Sequence, residues 1–211
     1  MQRFTAERTA DTPDELWLTA HPPVFTQGQG GKPEHLLRDI GIPVVKIDRG
    51  GQITYHGPGQ AVAYLLIDLS RRGLKVRELV SRIEQAVIDM LADFGVQGER
   101  LAGAPGVYVG GAKIAALGLR VRGGCCYHGV ALNVDMELAP YAAINPCGYP
   151  GLKVTQLRDL GVAAGWQETG EALLEQLKRQ IEKVATTNST SRRERRRPRA
   201  SPSRWCRPPC R

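Results

Sequence analysis

The 211-residue chain is poor in aromatic residues (6%). It has no apolar run of the about 18 residues that a membrane-spanning helix needs. Its start, Met1-Gln2-Arg3-Phe4, has none of the layout of a secretory signal. Cysteine is sparse and irregular: Cys125, Cys126, Cys147, Cys206 and Cys210 are odd in number and share no repeated spacing. That pattern argues against a disulfide framework and suits a reducing compartment, so a cytoplasmic protein is expected. The CxxC pairs of structural zinc sites are missing, which leaves Cys125-Cys126-Tyr127-His128 without a second ligand pair, and no metal is expected. GxGxxG and GxxxxGK[ST] are absent too, so neither nucleotide fingerprint is present.

Acidic charge is lacking in one place only. Ser191–Arg211 holds nine arginines and one glutamate, and residues 1–190 hold 20 basic and 20 acidic side chains. The net charge of +8 therefore belongs to the tail. Rich in Arg, Pro and Ser, that tail buries too little apolar surface to order itself. It reads either as a contact for nucleic acid or anionic lipid, or as an appendage without a selected role. The neutral body offers no second basic face, which favours the appendage, with neither nucleic acid nor membrane as partner. The expected division is a catalytic domain over 1–185 and a basic tail over 186–211.

What is present is a mixture of strand and helix patterns. Glu15–Ala20, Pro43–Asp48, Gln52–Tyr55 and Gln60–Asp68 read as strands. Val76, Leu79, Val80, Ile83, Val87, Ile88 and Leu91 recur at helical spacing, predicting a helix over Val76–Phe94 that ends at Gly95. Val107–Val109 and Ala112–Ala116 flank a Gly110-Gly111 hairpin turn. Gly118–Arg122 turns at Gly123-Gly124 into Cys126–Val134, and further helices are expected at Thr155–Leu160 and Glu168–Val184, with His35 on a surface helix. Hairpins with few crossover helices point to an α+β fold with a mixed, largely antiparallel sheet and flanking helices.

Cys147 stands in Asn145-Pro146-Cys147-Gly148, where proline and glycine specify a rigid turn that can present a thiol to a substrate. A thiol becomes a strong nucleophile when a cation favours its thiolate, and Lys113 in Gly111-Ala112-Lys113-Ile114-Ala115 is a candidate cation. The alternative is a packed small hydrophobe, the usual fate of a free cysteine. Arg49-Gly50-Gly51-Gln52-Ile53-Thr54-Tyr55-His56-Gly57-Pro58-Gly59-Gln60 is either a loop whose bare N–H groups meet a ligand or a tight turn holding a satisfied histidine.

Arg49–Gln60, Ala112–Gly118, Tyr127-His128-Gly129 and Ile144–Gly148, in this order and spacing, resemble the lipoyl(octanoyl) transferases over about residues 1–161. The resemblance implies the α+β fold of biotin and lipoate ligases. It implies transfer of octanoate from octanoyl-acyl carrier protein to a lysine of lipoyl domains, in 2-oxoacid dehydrogenase E2 subunits and glycine cleavage H protein, through a thioester on Cys147. Lys113 would tune that cysteine, and no cofactor would be needed. The substrate pocket would be lined by Arg49, Gly50, Gly51, Gln52, Ile53, Thr54, Tyr55 and His56, by Ala116, Leu117 and Gly118, and by Gly129, Val130 and Ala131. The family carries a strand and part of a helix upstream of Met1, so the N-terminus is expected to be shortened. The alternative activity is that of an ATP-dependent lipoate ligase, which works through an acyl-adenylate and has no need of Cys147.

Thioester exchange between two thiols is nearly isoenergetic, and passing the acyl group to an amine is downhill, so ATP is unnecessary. Charge pairing by Lys113 is not enough to account for its presence. Lowering a free thiol's pKa from about 8.5 by about two units gives roughly 25-fold more thiolate, of which lower intrinsic nucleophilicity takes back roughly 8-fold. The acceptor lysine, with a pKa of about 10.4, also needs a base. Lys113 can serve once acylation removes the thiolate beside it, with His56 or His128 as proton relay, and N–H groups near Leu117 and Gly118 as oxyanion donors.

Overall fold

Two sheets face each other, and their strands come from different parts of the chain. The computed structural model describes residues 1–183, so the Arg-rich tail, the 185/186 boundary and Cys206 and Cys210 lie outside the described residues. The larger sheet contains β1 (Glu15–Thr19), β5 (Gln60–Asp68), β6 (Glu99–Leu101), β7 (Ala104–Val109), β8 (Ala112–Arg122) and β9 (Cys125–Asn133), in the order β1-β5-β9-β8-β7-β6, antiparallel throughout. The smaller contains β2 (Val24–Gln27), β3 (Val44–Lys46) and β4 (Ile53–His56), with β2 central, parallel to β3 and antiparallel to β4. The helices are α1 (Gln2–Ala6), α2 (Leu69–Arg72), α3 (Val76–Asp93) and α4 (Trp166–Glu182).

Period-two alternation in β5 sorts its side chains between two environments. Ala61, Ala63, Leu65 and Ile67 join Leu79, Ile83, Val87, Met90 and Leu91 of α3 and Leu173 and Leu177 of α4 in the main core. Burial of such side chains contributes roughly 1.5–3 kcal/mol each and is the main force fixing the helices on this face. Gln60, Val62 and Tyr64 point the other way, towards the small sheet. The segment before β1 is fastened to α2 by Asp14, whose carboxylate accepts from Arg8, Arg71 and Arg72 at 2.5–2.7 Å.

Three expectations change. Thr155–Leu160 is not a helix: the backbone N–H groups of Thr155, Leu157 and Arg158 donate to Lys113, Asn133 and Val134, so bonding to the sheet displaces helical bonding, and only a 3₁₀ turn forms over Arg158–Leu160. The expected surface helix at His35 is one 3₁₀ turn, Pro33–His35. Ala112–Arg122 is one continuous strand that reads as two in sequence. β2 and β6, four and three residues long, have no counterpart among the strands expected from sequence.

Candidate active site

Between the sheets lies a cavity of about 730 Å³, and Cys147 and Lys113 stand in its wall. Cys147 occupies a 3₁₀ turn, Pro146–Gly148, but has left-handed backbone angles, φ 56° and ψ 16°. A side chain in that region costs about 1–2 kcal/mol, so the turn is held by its surroundings. Asn145 N–H donates to the His35 carbonyl (2.8 Å), and Gly148 N–H closes the turn on Asn145 (2.9 Å). The result is a half-buried thiol at the cavity. Cys126, by contrast, is fully buried, and burial pushes its thiol up to about 12.

Lys113 Nζ donates to Cys147 Sγ (3.2 Å) and to the Pro105 carbonyl (3.0 Å), and lies 5.1 Å from the centre of the Tyr108 ring. Lys113 is buried, 4% exposed, which works against its charge. The charge of Cys147 and the contact with Tyr108 outweigh burial, so its pKa is raised. Sequence reasoning missed both Pro105 and Tyr108, since neither belongs to a chemical motif.

The cavity floor follows from strand register. Ala116 pairs with Ala131, which pairs with Val62, and Gly118 pairs with Gly129, which pairs with Tyr64. Two adjacent strands thus present only hydrogens and methyl groups, with Val62 and Tyr64 as a kerb. A Cβ on Gly129 would stand 1.9 Å from the Ala63 carbonyl oxygen, so β9 and β5 can approach this closely only with glycine there. The other wall is Val24, Thr26, Arg49, Ile53, Thr54 and His56.

Of the fourteen pocket residues inferred from the sequence motifs, Arg49, Gly51, Gln52, Ile53, Thr54, His56, Ala116, Leu117, Gly118, Gly129, Val130 and Ala131 line this cavity. Gly50 and Tyr55 do not. Gly50 N–H donates to the Leu119 carbonyl (2.8 Å), and Tyr55 packs with Phe25 and Tyr141 in a separate core. The Gly-rich loop is largely consumed by the protein itself, since the carbonyls of Arg49, Gly51 and Gln52 accept from Gln29, Gly30 and Gly28.

Three histidines, His21, His56 and His128, also line the cavity. His56 Nδ1 donates to Gln60 Oε1 (2.7 Å), because the Gln60 amide nitrogen is committed to Asn133, Tyr55 and Tyr141. Its Nε2 then accepts from the Thr26 hydroxyl (3.1 Å), which itself accepts from Arg49 Nη2 (3.0 Å). Burial lowers the His56 pKa to about 4, with Arg49 adding to the effect. His128 Nε2 donates to Asp48 Oδ1 (2.8 Å), and burial lowers its pKa despite that carboxylate. His21 meets the Tyr64 hydroxyl at 2.6 Å and also lines the cavity. Among the described residues no three His, Cys, Asp or Glu side chains gather to hold a metal, and no helix is long and apolar enough to cross a membrane.

Residues 1–178 match the family described as the lipoyl protein ligase A/B catalytic domain. The chain belongs to that family. It is 67% identical over 182 residues to an octanoyltransferase of Dechloromonas aromatica, covering 86% of this chain and 89% of the relative. It is 68% identical over 184 residues to an octanoyltransferase of Aromatoleum aromaticum, covering 87% and 80%. Among solved structures, a bi-partite lipoate protein ligase of Thermoplasma acidophilum superposes with a TM-score of 0.70 at 16% identity, covering 85% of this chain and 76% of that one. The biotin protein ligase of Aquifex aeolicus gives 0.50 at 15% identity, covering 60% and 54%. These likenesses bear out the ligase-like α+β fold, and at such identity they speak to fold alone.

Proposed function

We propose that this family member is an octanoyltransferase, an acyltransferase that moves octanoate from octanoyl-acyl carrier protein to a lysine of lipoyl domains through a thioester on Cys147. The observation that carries the reading is the Lys113 ammonium 3.2 Å from the Cys147 sulfur at the edge of a floor made of Ala116, Gly118, Gly129 and Ala131. High identity to chains named octanoyltransferase supports it. An acyl-adenylate route, as in a lipoate ligase, would give that pair no task.

In the first half-reaction the Cys147 thiolate attacks the carrier's thioester carbonyl. The new C–S bond forms, and the old one breaks with its electron pair on the carrier thiolate, which takes up a proton. The acyl chain lies along the small-residue floor, kept from water by Val62, Tyr64 and the opposite wall. Acylation then removes the negative charge that keeps Lys113 protonated. Burial is left to dominate, the pKa of Lys113 falls, and the amine can become free. In the second half-reaction the acceptor lysine attacks the thioester, Lys113 takes its proton, and Cys147 leaves as thiolate. The regenerated charge pair returns the site to its starting state. His56 and His128 suit fixed positioning better than proton relay, since His56 spends both ring nitrogens on Gln60 and Thr26 and His128 commits its Nε2–H to Asp48.

The preferred donor, the acceptor proteins named by resemblance and a cytoplasmic location all belong to this proposal. The test is intact mass after mixing with octanoyl-acyl carrier protein. One octanoyl adduct, labile to hydroxylamine and mapped to Cys147, is expected. An adduct on Cys126, or none on a folded chain, would overturn the assignment.

A further inference from the structure

The inner face of α3 is apolar apart from one charged side chain, Glu84, which is 8% exposed among Leu79, Ile83, Val87 and Met90. A buried carboxylate is costly unless its oxygens are met, so the groups it meets are informative. Oε2 accepts from Arg100 Nε (3.1 Å), and Oε1 accepts from the Gly106 backbone N–H (3.0 Å). That N–H belongs to the peptide unit whose carbonyl, on Pro105, accepts from Lys113 Nζ (3.0 Å). Lys113 in turn donates to Cys147 Sγ (3.2 Å). Carboxylate, peptide, ammonium and sulfur form one hydrogen-bonded line.

We infer that Glu84 is a positioning residue for the Lys113–Cys147 pair, acting through the Pro105–Gly106 peptide. A negative charge on the N–H end of an amide pushes electron density towards its oxygen, making that oxygen a better acceptor for an ammonium. Glu84 thereby fixes Lys113 against the sulfur and raises its affinity for its proton. The backbone is shaped for this. Gly106 has φ 139°, and a Cβ there would lie 2.8 Å from the Ala115 carbonyl oxygen and 3.2 Å from Lys113 Nζ. Only glycine lets the peptide stand between the two charges. Arg100, more exposed, draws on the far oxygen of the same carboxylate and tempers its effect. The inference rests on Lys113 and Cys147 being the reacting pair.

The opposed influences of Glu84 and Arg100 give a test that structural damage cannot imitate. The titration of Lys113 is followed by the NMR shift of its ¹³Cε in a Cys147→Ser background, where the thiolate charge is removed and no acyl substrate is needed. Adding Glu84→Gln, close to isosteric, should lower the Lys113 midpoint by less than the roughly one unit that marks the low end for an opposite charge in direct contact, because a peptide stands between the two charges. Adding Arg100→Gln should raise it by a smaller amount. With Cys147 restored, Glu84→Gln should slow single-turnover acyl transfer several-fold without changing the acceptor KM. Unmoved midpoints, or shifts of the same sign in both variants, would overturn the inference. Should Glu84→Gln fail to fold, the direction of the Arg100→Gln shift decides alone, an upward shift supporting the inference and any other result overturning it. Opposite shifts in a chain whose Cys147 takes no octanoyl group would sink the transferase reading and leave the role of Glu84 standing. Octanoyl transfer with unmoved midpoints would do the reverse.

Discussion

Cys147 and His128 are the two non-glycine residues, among those described, whose backbone is left-handed, with φ 56° and φ 65°. Both line the cavity, yet the same strain serves opposite ends. At Cys147 it lifts a half-buried thiol out of a turn towards one buried cation, Lys113. At His128, inside β9, it overrides strand alternation, so that Tyr127 and His128 both bond Asp48 and their rings stack 5.1 Å apart. Adjacent strand residues ordinarily face opposite sides. The thiol end keeps a charge pair that can change its protonation, and the histidine end is locked by hydrogen bonds. A transfer site needs both, since protons must move at the reacting atom while the acyl chain is held still.

Removing the reactive end should have the largest effect. Cys147→Ser should lower acyl loading by at least about a thousandfold, as loss of a nucleophile does elsewhere, while a folded His128→Gln variant loses only several-fold. Stopped-time mass spectrometry of the loaded chain reads both. Comparable losses would mean that the two ends share the chemistry. Lys113 sharpens the point. Lys113→Arg keeps a cation beside the sulfur but cannot give up its proton at accessible pH, so transfer to the acceptor should fall more than loading does. Lys113→Met should slow both steps. Equal losses in both half-reactions for the arginine variant would reduce Lys113 to a positioning group.

The histidine end should reveal itself in acid. Burial pushes the Asp48 carboxyl up, but hydrogen bonds from Tyr127, His128 and Gln2 outweigh this and hold it at about 2. A depressed carboxylate pKa favours the folded state above the unfolded value, near 4, and the contribution is lost as pH falls towards about 2. Asp48→Asn should therefore lower Tm at neutral pH, and the gap to the unaltered chain should narrow below about pH 4. A gap independent of pH would show that the carboxylate charge contributes nothing there.

The thiol and the lysine that meet at the cavity are legible in sequence, and the groups around them are not. Cys147, Lys113 and the small floor residues lie in motifs whose residue types announce chemistry or close approach. Pro105, Gly106, Glu84 and Tyr108 reach Lys113 across the sheet and from a helix, and nothing in a pattern of burial distinguishes Glu84 from a surface glutamate one position off register. Gly50 and Tyr55 illustrate the converse error. They lie within the motif, yet Gly50 bonds Leu119 and Tyr55 fills a neighbouring core. The helix expected over Thr155–Leu160 failed because backbone bonds to Lys113, Asn133 and Val134 are long-range facts that local propensity does not carry.

The smallest effect concerns the strain itself. If the left-handed backbone at Cys147 is held against an intrinsic preference, then Cys147→Gly should be more stable than Cys147→Ala, although both are inactive. Neither variant retains the sulfur, so the comparison cancels its contacts. Alanine keeps the steric cost of about 1–2 kcal/mol in this region, and glycine relieves it while losing roughly 0.5–1 kcal/mol to the greater freedom of its unfolded chain. The net expectation is a difference of up to about 1.5 kcal/mol in favour of glycine, measurable by urea unfolding at matched m-values. The same pair of substitutions at His128 should give the same sign, both variants having lost the bond to Asp48. If alanine proves the more stable residue at Cys147 but not at His128, the turn has relaxed around the missing thiol, and the strain exists only while the Lys113–Cys147 contact holds it.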